Sequence, residues 1–296
     1  MLKPIKADSE STVRGANGGA FHRQFKSVLG IKTAYHQTGA GTDILLMHGA
    51  APGASWLVNW STNLEPLAAA GFRVTAFDQP GFGGSAHPND WGMEFRVWHA
   101  QEAIATFSQG PVCLVGNSIG AYQAMRLACD MRGQINALVL ISPPPLIEGF
   151  PGDLLEPVLA HSGRLTVVEP TEKSIRELTA RTVVNKNRLT RELLDTRLAM
   201  ATGRNFLAQR ARSEGGETLG RFILPEVLPT NMPVLFIWGR QDRSVPVECM
   251  LPMMAYFPQS EGYVLDECGH WPQWEYPDRV NEIIAGFLKR HTGPGT

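Results

Sequence analysis

The 296-residue sequence predicts one α/β domain built on a mainly parallel sheet of eight strands. Two observations predict this class of fold. Short apolar runs end in Gly, Pro or Asp, as buried parallel strands do, and longer stretches with helical periodicity separate them. Hydrophobic residues make up 43% of the chain and charged residues 19%, a balance that favours a packed globule over a disordered chain.

The predicted elements alternate along the chain. Gly30 lies between the first two runs, which indicates an antiparallel hairpin at an edge of the sheet. The predicted strands are 25–29, 32–36, 44–47, 72–77, 112–115, 137–141, 234–238 and 263–265, and the clearest core helices are 98–107, 118–131 and 279–290. Strands that alternate with helices in this way are typical of an α/β fold.

The alternation stops between Pro143 and about Pro229. That stretch begins with three prolines and carries amphipathic helical patterns around 174–184 and 191–200. An insertion of about 85 residues is too long for an ordinary loop. We therefore expect a helical cap, or lid, at 144–228, inserted after the sixth strand of a core formed by 23–143 and 229–296. Residues 1–22 are expected to form a flexible N-terminal segment.

Charge and composition exclude several classes of function. The 27 Lys and Arg nearly balance the 28 Asp and Glu, so no global field would attract nucleic acid or an anionic membrane. No apolar run approaches the length of a membrane span. The four cysteines form no Cys-x-x-Cys pair and no cluster with histidines, which predicts a reduced, cytoplasmic chain with no metal and no cofactor. We expect a small-molecule substrate and no nucleic-acid or membrane partner; a homo-oligomer, dimer or higher, is left open.

Ser118 lies in a Gly-x-Ser-x-Gly pattern, Gly116-Asn117-Ser118-Ile119-Gly120. A predicted strand ends just before it and a predicted helix follows, and in this context the pattern indicates a nucleophile elbow rather than an ordinary turn. The sharp turn strains the serine backbone and leaves no room for side chains at the flanking glycines. The helix start directs N–H groups toward a developing anion. The pattern therefore predicts Ser118 as a nucleophile.

A serine nucleophile needs a base and a group that orients the base. Asp242 follows the predicted strand 234–238, and His270 follows the last predicted strand. Alone, Asp242 would be interpreted as a helix cap or a surface ion-pair partner, and His270 as a buried structural histidine. Because they follow Ser118 in the chain order Ser, Asp, His of the α/β-hydrolases, they are predicted to complete a catalytic triad with it.

The segment 48–54, His-Gly-Ala-Ala-Pro-Gly-Ala, follows the predicted strand 44–47. A loop at this place presents a backbone N–H to the substrate oxyanion, together with the N–H of the residue after the nucleophile. We expect the N–H groups of Ala50 and Ile119 to form this oxyanion hole. His48 is interpreted as a structural residue that holds the loop by hydrogen bonds.

These motifs resemble the α/β-hydrolase superfamily and, more narrowly, the meta-cleavage-product hydrolases, which split carbon–carbon bonds in ring-fission products of aromatic degradation. The resemblance covers about 24–290, and its more specific matches are Asn117, Asn59 and the run 269–275, Gly-His-Trp-Pro-Gln-Trp-Glu. It implies the α/β-hydrolase fold and a 2-hydroxy-6-oxo-dienoate substrate. It also implies polar contacts from Asn59 and Asn117 to that substrate, with Trp271 packed beside it.

In the same family, an arginine at the end of the cap binds the dienoate carboxylate, and Arg197 best matches that position. The forked guanidinium suits a carboxylate because it donates two parallel hydrogen bonds. The alternative interpretation of Arg197 is an ordinary solvated arginine of the cap.

Departures from the family pattern leave other substrates open. Ala50 and Ala51 replace two glycines common in the oxyanion loop, and Ala121 stands where a glycine often follows the elbow. None of these changes removes a backbone N–H. A carboxylesterase or lactonase with the same triad is the alternative function, and a non-catalytic ligand receptor of this fold is disfavoured. Dehalogenases and epoxide hydrolases are excluded because they carry Asp in place of Ser118. The pattern does not decide between an acyl-enzyme and direct attack by water.

Overall fold

The computed structural model describes residues 10–88, 92–163, 169–214 and 220–292. The described strands are β1 Ser11–Arg14, β2 Ala20–Val28, β3 Ile31–Gly39, β4 Thr42–Met47, β5 Phe72–Phe77, β6 Val112–Asn117, β7 Ile135–Ile141, β8 Val234–Gly239 and β9 Ser260–Leu265. The described α-helices are α1 Trp56–Asn59, α2 Leu64–Ala69, α3 Met93–Phe107, α4 Ile119–Asp130, α5 Gly152–Gly163, α6 Glu172–Thr182, α7 Arg191–Ala201, α8 Arg204–Glu214, α9 Met250–Met254, α10 Pro272–Glu275 and α11 Pro277–Thr292. Short 3₁₀ helices lie at Lys186–Arg188, Pro225–Val227 and Val247–Cys249. None of the described helices is long and apolar enough to cross a membrane.

All nine strands belong to one sheet, in the order β1-β2-β3-β5-β4-β6-β7-β8-β9. The six strands from β5 to β9 run parallel, and β1, β2 and β3 are antiparallel to their neighbours. Met47 lies opposite Gly116 in the pairing of β4 with β6. The carboxyl ends of these two central strands are therefore side by side, which is where a parallel sheet places a binding site.

The core lies on both faces of this sheet, because successive residues of a strand point to opposite sides. In β6, Leu114 packs on the face covered by residues of α3 and α4, whereas Cys113 and Val115 pack on the face covered by α2 and α11. Every residue of β6 is buried. This burial explains why the strand is a continuous apolar run rather than an alternating one.

The N-terminal segment differs from the sequence prediction. Residues 1–22 were expected to be flexible, but the described residues 10–22 include β1 and the start of β2, which pair in antiparallel register with Ser11 opposite Arg23. A Cβ at Gly15 would lie 2.6 Å from the Phe21 ring and 2.7 Å from the Ser61 Cβ. Gly15 serves close packing here, and the sheet has nine strands instead of eight. Residues 1–9 lie outside the described part of the chain.

The predicted interruption lies between β7 and β8, and its described part contains helices α5 to α8. Because β1 adds a strand, the insertion follows the seventh strand instead of the sixth. Its two ends are joined where the Glu148 N–H donates to the Ile223 carbonyl, at 2.9 Å, and the Ile223 N–H donates to the Leu146 carbonyl, at 2.8 Å. Both ends of the insertion therefore leave the core together.

Candidate active site

Ser118 lies at the junction of β6 and α4, with backbone angles φ 56° and ψ −124°. A positive φ is strained for a residue that carries a Cβ. Backbone hydrogen bonds hold this conformation: the Ser118 N–H donates to the Ile141 carbonyl at 2.9 Å, and its carbonyl accepts from the N–H groups of Ala121 and Tyr122, at 2.9 and 3.1 Å. The turn therefore has the geometry of a nucleophile elbow.

The two glycines of the elbow are required by close backbone contacts. A Cβ at Gly116 would collide with backbone atoms of Gly120 and Ala121, and a Cβ at Gly120 would collide with the Met47 carbonyl. The elbow is thus packed directly against the end of β4.

Asp242 and His270 are hydrogen-bonded to each other. The His270 Nδ1 is 2.8 Å from the Asp242 Oδ2, and the Asp242 side chain is fully buried. The other carboxylate oxygen, Oδ1, accepts from the N–H groups of Ser244 and Val245, at 2.8 and 3.0 Å. Because the Asp242 carboxylate accepts the hydrogen bond from His270, the His270 Nδ1 carries the proton and Nε2 is the basic nitrogen of the ring. His270 and Ser118 line the same cavity.

The loop that carries His270 is held by Glu275, a role that the sequence analysis did not predict. Glu275 Oε1 accepts from the Gly269 N–H at 2.7 Å, and Oε2 accepts from the N–H groups of Val184 and Asn185, each at 2.7 Å. Burial raises the pKa of the Glu275 carboxyl, and these three N–H donors oppose that rise. The only sequence signal for this role is a carboxylate five residues after the predicted base.

A further backbone bond fixes the same loop to the insertion. The His270 N–H donates to the Thr182 carbonyl, at 2.8 Å, at the last residue of α6. The end of α6 and the catalytic loop are therefore one hydrogen-bonded unit.

The predicted oxyanion loop lies against the elbow. Ala50 and Ile119 both line the cavity, and a Cβ at Gly49 would lie 3.4 Å from the Ser118 Cβ. Ile119 is the first residue of α4, where N–H groups have no intrahelical acceptor. Both backbone segments that were predicted to stabilise an oxyanion are thus next to Ser118.

His48 braces this loop from below the cavity. Its Nδ1 is 2.6 Å from the Gly49 carbonyl oxygen, and its Nε2 accepts from the Gln79 N–H at 3.0 Å. The Gln79 side-chain amide returns a bond to the His48 carbonyl, at 2.6 Å. Burial lowers the pKa of His48 to about 4, so the ring is neutral at physiological pH. This is the structural role that the sequence analysis predicted.

Asn59 and Asn117 lie together on the cavity wall with Trp271. The Asn59 Nδ2 donates to the Asn117 Oδ1 at 3.4 Å, and the Asn117 Nδ2 donates to the His270 carbonyl at 3.2 Å. The buried Asn59 Oδ1 has no hydrogen-bond partner among the described residues. A polar group on the ligand is the natural partner for this atom, since buried polar atoms are costly when unpaired.

Arg197 is not among the described residues that line the cavity. It is fully buried, and its guanidinium stacks on the ring of Trp271, with 4.6 Å between the guanidinium carbon and the ring centroid. Its Nε donates to the Pro52 carbonyl and its Nη1 to the Thr179 hydroxyl, each at 3.0 Å. Its Nη2 has no partner among the described residues. Burial lowers the pKa of Arg197 to about 9.

The cavity above Ser118 has a volume of about 450 Å³ and is formed by both the core and the insertion. Its described lining residues include three basic side chains that the sequence analysis missed, His161, Arg181 and Arg243. The described lining contains no acidic residue. His161 and Arg181 belong to the insertion, so their position depends on how it folds over the core, which no local motif encodes, whereas Arg243 directly follows Asp242 in the core. No group of three or more metal-ligating side chains is found in the described ranges.

The fold and the elbow define this protein as an α/β-hydrolase. The chain belongs to the alpha/beta hydrolase family, whose model matches residues 44–283.

Two curated relatives of similar length are named as hydrolases of the same kind of substrate. A 2-hydroxy-6-oxononadienedioate/2-hydroxy-6-oxononatrienedioate hydrolase of Dechloromonas aromatica is 29% identical over 296 residues, covering 95% of this chain and 98% of the relative. An enzyme of the same name from Paraburkholderia phymatum is 31% identical over 271 residues, covering 87% of this chain and 91% of the relative.

Two solved hydrolase structures superpose on most of this chain. A serine hydrolase involved in carbazole degradation, the CarC enzyme, superposes with a TM-score of 0.77 at 25% identity, covering 92% of this chain and all of that one. A variant of the meta-cleavage product hydrolase CumD also gives a TM-score of 0.77 at 25% identity, covering 90% of this chain and 98% of that one.

Proposed function

We propose that this protein hydrolyses a carbon–carbon bond in a 2-hydroxy-6-oxo-dienoate, with Ser118, Asp242 and His270 as its catalytic triad. The observation that carries the proposal is the strained Ser118 elbow on the same cavity as the His270–Asp242 pair. The names of the curated relatives and the 25%-identical solved hydrolases support this class of substrate.

The triad supplies the acid and base that the reaction needs. Asp242 fixes the His270 tautomer, so that Nε2 takes a proton from Ser118 or from the attacking water. The N–H groups of Ala50 and Ile119 stabilise the oxyanion that forms when the substrate carbonyl is attacked. These donors are part of the folded backbone and need no rearrangement during the reaction.

Cleavage of a carbon–carbon bond adds one requirement. The carbon that leaves must receive a proton, and the dienol of the substrate offers a route, because its ketonisation places that proton before the bond breaks. His270 is the only ionisable side chain among the described lining residues that is hydrogen-bonded to a buried carboxylate, and we assign the proton transfers to it. Water supplies the oxygen that ends in the new carboxylate, and its proton ends on the dienolate oxygen of the leaving fragment, which restores the enol there.

The substrate-binding assignments follow from the cavity wall. Asn59 and Asn117 offer polar contacts, and Trp271 offers an apolar face. Arg197 is the proposed partner of the dienoate carboxylate because it is a buried cation with an unpartnered Nη2 and no acidic neighbour among the described residues. Since Trp271 lies between Arg197 and the cavity, this contact requires a movement of the Trp271 side chain.

We further propose a cytoplasmic enzyme that acts on a small molecule without a metal or other cofactor. All four cysteines are free thiols, and three of them, Cys113, Cys249 and Cys268, are buried. A chain with unpaired cysteines suits a reducing compartment.

The proposal is tested with Ser118→Ala and His270→Ala on a 2-hydroxy-6-oxo-dienoate. Each variant should lose roughly 10⁴-fold in kcat because the members of a triad act as a unit. Ser27→Ala, an exposed serine of β2, and His22→Ala, an exposed histidine of the same strand, are the matched controls and should keep wild-type rates.

Circular dichroism of all four variants verifies that the fold is intact. Near-normal turnover by either triad variant would overturn the assignment of the active site. Turnover of p-nitrophenyl esters alone, with the dienoate left unchanged, would instead establish the carboxylesterase alternative.

A further inference from the structure

The two N–H groups assigned to the oxyanion hole belong to different elements. Ile119 is the first residue of α4, and Ala50 lies in the loop that follows β4. In the described part of the chain, neither N–H has a hydrogen-bond acceptor, so both are available to a ligand. Such donors stabilise an oxyanion only when both point at the place where the charge develops. The loop must therefore be held at a fixed place relative to α4.

The direction of the Ala50 N–H is set by the Gly49 carbonyl, because the two groups belong to one trans peptide unit. In a planar trans peptide, the C=O and the N–H point in opposite directions. The His48 Nε2 accepts from the Gln79 N–H, so Nδ1 carries the proton and donates to the Gly49 carbonyl at 2.6 Å. The carbonyl is thus turned toward His48, and the Ala50 N–H is turned the other way, toward the cavity that Ala50 lines.

Two buried glutamines connect His48 to α4. The Gln79 Nε2 donates to the His48 carbonyl at 2.6 Å, and the Gln123 Nε2 donates to the Gln79 Oε1 at 2.9 Å. Gln123 lies on α4, one turn after Ile119. All three linked side chains are fully buried, and a hydrogen bond shielded from water is electrostatically stronger than an exposed one. These bonds, from Gln123 through Gln79 to His48, form a continuous glutamine link between the two oxyanion donors.

Glutamine at position 79 suits this link because one side chain must both accept and donate. Its Oε1 accepts from Gln123 while its Nε2 donates to His48, whereas an ionised glutamate could only accept. The backbone at Gln79 is itself held by the preceding residue. The Asp78 Oδ1 accepts from the Trp56 N–H at 2.7 Å, and its Oδ2 accepts from the Gly84 N–H at 2.8 Å. The glutamine link therefore starts from a fixed turn.

We propose that Gln79 and Gln123 are positioning residues of the oxyanion hole. Through His48, they hold the Ala50 N–H at a fixed place relative to the Ile119 N–H on α4. This inference rests on the proposed function, which assigns these two N–H groups to the oxyanion. Neither glutamine is among the described residues that line the cavity, so both act through the donors and not on the substrate. Loss of the link should weaken binding of the transition state and leave binding of the substrate nearly unchanged.

The test replaces Gln79 with Met, which has a similar length and no amide. On a 2-hydroxy-6-oxo-dienoate, Gln79→Met should lower kcat by about tenfold or more, because complete removal of one oxyanion donor costs about 10²–10³. Phenylboronic acid forms a tetrahedral adduct with a serine nucleophile, and its Ki should rise by the same factor. Binding of the intact dienoate is measured in a Ser118→Ala background, where adding Gln79→Met should change Kd by less than about twofold.

The double variant Gln79→Met/Gln123→Met removes the Gln123 amide that the single variant leaves unpaired. Replacing both partners of a buried hydrogen bond with apolar groups costs less stability than removing one, so the double variant tests the link even where the single variant does not fold. Because the two glutamines act as one link, the double variant should lose no more in kcat than Gln79→Met does. Losses that multiply would show that the glutamines act separately and would contradict the link.

Gln37→Met is the matched control. Gln37 is a half-buried glutamine of β3 whose Nε2 donates to the Thr75 hydroxyl at 2.7 Å, and it is not among the described lining residues. It should lower Tm and leave kcat and the Ki of phenylboronic acid as in the wild type.

A Gln79→Met protein with a lower Tm but unchanged kcat and Ki would overturn this inference alone and leave the proposed function standing. So would an equal weakening of dienoate and boronate binding, since a positioning residue of the oxyanion hole acts on the tetrahedral state. A wild type that neither turns over the dienoate nor binds phenylboronic acid would overturn the proposed function and this inference with it.

Discussion

The conformation of Ser118 is determined by the residue itself and its immediate neighbours. Its positive φ is held by three backbone hydrogen bonds, and the glycines on either side are there because any Cβ would collide with neighbouring backbone. This arrangement could be predicted from the sequence because the Gly-x-Ser-x-Gly spacing follows directly from local sterics. The same holds for His48, whose role depends on the adjacent strand and turn.

Other residues could not be placed from the sequence for an equally physical reason. Arg197 was predicted to contact the substrate, but it lies off the cavity wall, stacked on Trp271. Arg181 and Arg243 line the cavity; Arg243 is next to the predicted triad residue Asp242, whereas nothing in the local sequence of Arg181 distinguishes it from a solvated arginine. Whether Arg181 or Arg197 reaches the site depends on the orientation of α6 and α7 over the core, and that orientation is a tertiary property.

The proposed role of Arg197 is tested by Arg197→Met, which keeps much of the volume and removes the charge. We expect a loss of about 2 kcal/mol in transition-state stabilisation for an acidic dienoate, since one partner of a desolvated charge pair is left unmatched. A neutral p-nitrophenyl ester should be little affected. Steady-state kcat/KM on both substrates measures the contrast, and equal losses would show that Arg197 instead positions Trp271 and the loop at Pro52.

At the scale of elements, the link between α6 and the catalytic loop has the greatest consequence for function. Glu275 binds the N–H of Gly269 with one oxygen and the two N–H groups after α6 with the other. The insertion is thereby attached to the loop that carries His270. A change in this contact should affect catalysis although Glu275 does not belong to the proposed triad.

Glu275→Gln should lower kcat by about tenfold or more, because the amide NH₂ would face an N–H donor and leave a buried group unsatisfied. Hydrogen exchange of 172–185 should become faster as the end of α6 loosens. Glu282→Gln, an exposed residue of α11, is the matched control and should change neither quantity. Faster exchange without any change in kcat would disprove the coupling of α6 to His270.

The elements also show where sequence patterns mislead. The strand–helix alternation and its break at 143 predicted the core and the helical insertion, because a buried parallel strand has a distinctive apolar run. The N-terminal segment 1–22 was interpreted as flexible, yet Gly15 is packed against Phe21 and Ser61, and β1 pairs with β2. Glycine content indicates freedom of the backbone or closeness of a neighbour, and only the folded structure distinguishes the two.

For the whole molecule, buried ionisable groups determine how stability depends on pH. Burial lowers the pKa of His48 to about 4 and of His99 to about 3, and raises the pKa of Asp78 to about 7. As the pH falls below about 6.5, the unfolded chain gains protons at both histidines while the folded protein does not, so stability falls. Asp78 acts in the opposite direction between about pH 7 and 4, because the folded protein binds its proton first.

For these three groups the net expectation is a loss of unfolding free energy on acidification, since the unfolded chain gains two histidine protons while the folded protein gains the one of Asp78. His99→Gln removes one of these titrations and should reduce the slope between about pH 6.5 and 4 by about 1.4 kcal/mol per pH unit. Urea unfolding at several pH values measures this slope, and the exposed His22→Gln is the control. An unchanged slope in His99→Gln would show that His99 is not held neutral by burial.

The central claim is that this cavity cleaves a carbon–carbon bond. It is tested most directly by the ratio of kcat/KM for a 2-hydroxy-6-oxo-dienoate to that for a p-nitrophenyl ester, with the dienoate products identified by mass spectrometry. We predict a ratio of about 10² or more, since only the dienoate engages both the carboxylate-binding and the proton-transfer groups in the transition state. We also predict that mass spectrometry finds two fragments of the dienoate, one of which bears a new carboxylate. A ratio below one, or a dienoate recovered intact while the ester is consumed, would contradict the claim.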